Sequence, residues 1–195
     1  PIEYMGFEVV MLSTIPMIVL GSIWGSAEFK HHCLRTSLLS YGNKNSLFAA
    51  KTTAVIIISF MLSIISVIIC ITITHFTFGS EGLVPILFNV QVWKFIILAI
   101  VAVALLTIFS YAIGFLFRTA VVPMLFLIIQ AYNIGDILTE HFELCKLLPV
   151  SLANRLIASS ESMLTSHPVQ NIFGLLVWII IVISAGYFIF RKIDL

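Results

Sequence analysis

A chain of 195 residues that is 61% hydrophobic and only 10% charged cannot build a water-facing surface, because soluble domains carry about 25% charged residues. Its net charge of +1 leaves no basic excess to hold a nucleic acid. The apolar residues fall in long runs, and roughly 20 of them in sequence suffice to cross about 30 Å of hydrocarbon.

Five such runs follow one another. The first covers residues 5–24, with Glu8 near its start and Pro16 in its middle. The second, residues 53–75, is the cleanest, and the third covers 95–117. The fourth, 120–138, is interrupted by Pro123 and ends among Gln130, Tyr132, Asn133 and Asp136. The fifth covers 172–190. Barrel strands would alternate apolar and polar residues. These runs do not, so the fold class is all-α, a polytopic transmembrane helix bundle forming a single domain over residues 1–195.

The loops set the orientation. Loop one, residues 25–52, carries Lys30, Arg35, Lys44 and Lys51. Arg118 marks a tight turn, and Arg191 and Lys192 close the chain. These seven basic residues share one set of alternating compartments, against Lys94, Lys146 and Arg155 in the other. The positive-inside rule places the first set, and the C-terminus, in the cytoplasm. Pro1 then lies outside. The chain does not open on a basic n-region followed by a short apolar segment and a small-residue cleavage site. One further N-terminal span ahead of Pro1 is therefore expected.

Two loops depart from ordinary connections. In loop one Leu34, Leu38 and Leu39, then Leu47 and Phe48, recur among basic and hydroxyl residues at roughly helical spacing. A helix is expected there, broken at Tyr41-Gly42-Asn43 and followed by a second helix leading into the second span. The loop at residues 139–171 is too apolar to be solvated throughout. Its Leu147-Leu148-Pro149-Val150 and the stretch from Leu152 to Leu156 predict short helices packed against or dipping into the membrane.

Chemistry is sparse. H-E-x-x-H, G-x-S-x-G and P-loop motifs are absent. Cys33, Cys70 and Cys145 show no metal or redox spacing. Glu28 with His31 and His32, and Glu140 with His141 and Glu143, read as a basic surface turn and a solvated helix end, so no metal site is assigned. The patch of Gln130, Asn133 and Asp136 has two readings, a substrate path or hydrogen bonding between helices. No ladder of buried acids or lysines runs through the spans, which counts against a proton-coupled carrier.

The stretch Glu28-Phe29-Lys30-His31-His32-Cys33-Leu34-Arg35-Thr36-Ser37-Leu38-Leu39-Ser40-Tyr41-Gly42-Asn43-Lys44, with Lys51 at the next span, resembles the cytoplasmic loop of type-two ABC exporter permeases. Glu28, Arg35, Leu38, Gly42, Lys44 and Lys51 match that family's pattern. His32-Cys33 stands where Gly-Thr is usual, and Lys44 where Arg is usual. The closing Phe190-Arg191-Lys192-Ile193-Asp194-Leu195 is similar to the family's basic-acidic ending. The loop pattern resembles that of the peptide-export and bacteriocin-immunity branch.

The resemblance implies that this chain supplies spans two to six of a six-span permease of a bacterial cytoplasmic membrane, with an amphipathic cytoplasmic coupling helix. Glu28 and Arg35 would hold that helix, and Leu34, Leu38 and Leu39 would pack its apolar face, with Gly42 and Lys44 at its turn. The chain itself would be no enzyme and hold no cofactor. ATP and Mg would sit on a separate nucleotide-binding ATPase subunit, and a second permease subunit would complete the path. A non-transporting immunity or scaffold protein and an ion-coupled secondary transporter are the rival readings. The second would need Glu8 or Asp136 to carry the coupling ion.

Overall fold

The structure is a computed structural model and describes residues 6–27, 29, 44–78, 90–131, 147–157 and 168–191. Six helices account for nearly all of them: α1 Phe7–Ala27, α2 Lys44–Phe78, α3 Val90–Phe117, α4 Val121–Ile129, α5 Pro149–Ile157 and α6 Pro168–Arg191. No strand occurs among the described residues. Four helices, α1, α2, α3 and α6, are long and apolar enough to cross a membrane.

The outer faces suit a bilayer rather than water. On α2, Ile57, Met61, Ile65, Ile68, Ile73 and Phe76 all stand exposed. The interior gathers around α3, whose Ala99, Ala102, Val103, Leu106 and Phe109 are buried. In its most apolar stretch 78% of α3 is buried, against 17% for α6, so the other helices are arranged around α3 as an axis.

The expected five spans are met in part. The fourth run starts as α4, nine residues long, which at 1.5 Å per residue rises only about 14 Å. Its continuation beyond Ala131 lies outside the described residues. Pro123 does not interrupt this helix. It occupies the first turn, where backbone N–H groups have no intrahelical acceptor and a missing one costs nothing. The second span is longer than expected. Its 35 residues form one helix in which Lys44 to Thr52 run straight into the apolar part, so the expected helix bearing Leu47 and Phe48 is continuous with the span. At about 52 Å, α2 outreaches the hydrocarbon and projects beyond it.

Pro16 leaves α1 unbroken from Phe7 to Ala27. It deprives the Leu12 carbonyl of its donor, and Leu12 faces outward at 64% exposure, away from the packed interior. Both α5 and α6 begin at a proline, whose fixed φ suits the first helical position.

A short helix is found where the apolar stretch at 147–156 predicts one, and α5 packs inside the bundle. Its Pro149, Val150, Leu152, Ala153, Leu156 and Ile157 are buried. The indole Nε1 of Trp178 donates to the Leu147 carbonyl at 2.9 Å, while Leu152 covers Gly174. Trp178 lies ten residues into α6, about 15 Å along it. From Leu147 at Trp178 to Leu152 at Gly174, the segment runs back toward the start of α6.

Candidate functional site: an aromatic cluster at the basic end

The end of α1, the start of α2, the end of α3 and the end of α6 meet at one end of the bundle. Lys44, Lys51, Arg118 and Arg191 belong to that end. Gly6 packs on Ile71 and Thr74 of α2 at the other.

Phe115, on the last turn of α3, is the centre of the cluster. Its ring lies 5.2 Å from that of Phe29, 5.3 Å from Phe48 and 5.5 Å from Phe190, in tilted or edge-on geometry. Phe48 also meets Tyr187 at 5.4 Å and Phe190 at 6.0 Å. Leu47 is buried in the same cluster. Such aromatic pairs contribute about 0.5–1.5 kcal/mol each beyond the area they bury. The Tyr187 hydroxyl donates to Asn45 Oδ1 at 3.2 Å, tying α6 to the first turn of α2. Phe29 and Phe48 stand at the two sides of loop one, 19 residues apart in sequence. Both bases of the loop are thereby clasped to α3.

Arg118 caps the arrangement. It takes a left-handed φ of 57° that turns the chain from α3 to α4, a conformation that costs a side-chain-bearing residue roughly 1–2 kcal/mol. Its guanidinium lies 5.3 Å from the centre of the Phe29 ring, a cation–π contact of about 0.5–1 kcal/mol or more.

Beneath the cluster α1 and α3 approach until their backbones touch. A Cβ on Gly21 would stand 2.4 Å from the Thr107 carbonyl oxygen, and one on Gly25 2.3 Å from that of Tyr111. A Cβ on Gly114 would meet the Ser22 carbonyl oxygen at 2.8 Å. The Ser110 hydroxyl crosses the seam and donates to the Ile18 carbonyl at 2.6 Å. Small residues spaced four apart let helices come this close in lipid. Gly21 and Gly25 carry that spacing in the sequence, and it is the signal by which the seam can be read.

Of the residues singled out from the sequence, Glu28, Leu34, Arg35, Leu38, Leu39, Gly42, Asn133 and Asp136 lie outside the described residues. Lys44 opens α2 and is half-buried beside the cluster. Gln130 follows α4 in a wider helical turn and is buried at 7% exposure. Its Nε2 donates back to the Phe126 carbonyl at 3.0 Å, while its Oε1 is enclosed without a partner. Glu8 lies exposed in the first turn of α1, outside the packed interior. Among the described residues, no three His, Cys, Asp or Glu side chains come together.

The described side chains of the cluster are aromatic and aliphatic, with Arg118 against the Phe29 ring. It joins Phe29 and Phe48, on either side of loop one, to α3 and α6. No protein-family model, curated protein or solved structure matches this chain.

Proposed function

We propose that this chain is the membrane-spanning subunit of an ATP-driven exporter of the type-two ABC permease kind, lying in a bacterial cytoplasmic membrane with its basic end inside. Loop one is the surface on which a separate ATPase subunit docks, through Glu28, Arg35 and the leucine face. The chain would work as one of two permease subunits, identical or paired, with the substrate path between them.

One observation carries this reading. Phe29 and Phe48, at the two bases of loop one, both rest on Phe115 of the central helix. A load applied to loop one would reach α3 directly and α6 through Phe190. The positive-inside asymmetry supports the orientation. The short buried helix α5 before the last span is the layout that the resemblance implies.

The test is co-purification from gently solubilised membranes, with wild-type protein and with Glu28→Ala plus Arg35→Ala. A nucleotide-binding subunit that accompanies the wild type and is lost or uncoupled in the double variant is the expected result. Recovery of no ATPase, under conditions that keep ABC complexes together, would overturn the exporter reading and favour a stand-alone membrane protein.

A further inference from the structure

A cleft of about 260 Å³ opens beside the aromatic cluster, between α1 and α2 with α3 as its floor. Trp24 and Ala27 form one wall, Lys51, Ala54 and Ile58 the other, and the buried Tyr111 lies between them. The small side chains of Ala27 and Ala54 leave the space. Pockets that enclose a whole small molecule measure about 300–1,000 Å³, so this cleft fits part of a ligand whose remainder lies outside.

We propose that this cleft holds one anionic glycerophospholipid of the inner leaflet, its phosphate at Lys51 and one acyl chain along Ala54 and Ile58. This rests on the membrane orientation proposed above but not on any ATPase partner.

Three features favour that occupant. The lining is alanine, valine, isoleucine and two amphipathic rings, Trp24 and Tyr111, with Lys51 as its one cation. Lys51 lies seven residues into α2, about 10 Å along its axis, at the level where the helix passes from its polar first turns to its apolar run. A lysine there lays its stem on apolar surface and sends its ammonium toward the headgroups. From Lys51 to Ile58 the wall extends about another 10 Å deeper, a path that only an apolar chain would occupy. Tryptophan at headgroup level is the usual companion of such a contact, and basic pockets between helices on the cytoplasmic side take anionic headgroups.

The test is native mass spectrometry of the full chain, purified in detergent and offered equal amounts of phosphatidylglycerol and phosphatidylcholine. Wild-type protein should retain phosphatidylglycerol preferentially. Lys51→Gln should lower that preference about fivefold, the equivalent of the ~1 kcal/mol that one basic residue gains at an anionic surface. Lys51→Arg should keep it, which separates loss of charge from loss of fold. Ala54→Trp should abolish retention of both lipids by filling the acyl path. Equal phosphatidylglycerol on wild type and Lys51→Gln would overturn the proposal, as would unchanged binding to Ala54→Trp. Displacement of the lipid by millimolar inorganic phosphate would assign Lys51 to a free anion instead, and would overturn it too. Lipid retention is read without an ATPase, so its failure and that of the exporter reading are separate results.

Discussion

Replacing Gly25 by alanine places one methyl group where the α1–α3 seam has no room. The new carbon would lie 2.3 Å from the Tyr111 oxygen, 2.8 Å from the Phe115 nitrogen and 3.0 Å from the Gly114 carbonyl carbon. All three are backbone atoms, so no rotamer change relieves the overlap. Ordinary contact begins at 3.4 Å, and the helices must part by roughly 1 Å in an interior that is already close-packed. Overpacking of this kind costs about 1–3 kcal/mol. The separation also strains the bond from Ser110 to Ile18, and such bonds average about 0.6 kcal/mol between membrane helices. Against this, alanine gains about 0.8–1.0 kcal/mol over glycine in helix propensity. The net expectation is a loss of about 1–3 kcal/mol. The assay is unfolding in mixed micelles titrated with sodium dodecyl sulfate, followed by circular dichroism. Gly174→Ala is the control. Its added carbon meets only the Leu152 Cδ1 tip at 2.9 Å, which can rotate away, so that variant should match wild type or exceed it slightly. If Gly25→Ala is as stable as wild type, or Gly174→Ala is the more damaging, the seam is not as close as described.

Three other substitutions probe different parts of the bundle. Trp178→Phe keeps the ring but leaves the Leu147 carbonyl without its donor. It should cost about 0.5–1.5 kcal/mol and show as faster hydrogen exchange in α5 before global unfolding. Phe115→Ala removes the centre of the aromatic cluster. It should cost about 3–5 kcal/mol, and limited proteolysis should then cut loop one sooner than in wild type. Gln130→Leu removes an enclosed acceptor that has no donor, so stability should hold within about 1 kcal/mol or rise. A loss of transport in that stable variant would place Gln130 on the substrate path, and unchanged transport would assign it to packing alone.

The apolar runs were legible because length and continuity alone specify a helix in lipid, and all four long helices fall where those runs fall. Their ends were less so. Lys44, Lys51 and Thr52 fall in loop one, where a separate helix leading into the span is expected, yet they form one helix with it as α2. What holds them helical is Leu47 and Phe48 packing on α3 and α6, a contact between segments far apart in sequence. The aromatic cluster was hidden for the same reason. Its members at positions 29, 48, 115, 187 and 190 share no motif and meet only when four helix ends converge. Pro123 was read as an interruption because a proline inside a helical run usually is one. Its true place depended on where the turn at Arg118 ended, and that turn uses a left-handed arginine where glycine is the ordinary signal.

The central place of α3 follows from the chemistry of its side chains. A bilayer supplies no hydrophobic drive between helices, because lipid tails are as apolar as leucine. A helix is then surrounded by others when its surface allows close approach. α3 carries Ala99, Ala102, Ala104, Thr107, Ser110, Ala112 and Gly114, all of them small. α2 between Val55 and Ile73 is dominated by isoleucine and shows much of that face outward. The sides of α3 differ in consequence. Toward the basic end it meets α1 backbone to backbone at Gly21, Gly25 and Gly114, where no side chain lies between to repack. Its contacts with α2 and α6 at that end pass through rings, Phe115 on Phe48 and Phe190, which slide and tilt at small cost. Under the function proposed above, a displacement entering at Phe29, two residues past the end of α1, would carry α1 and α3 together as one body and shift them against α2 and α6.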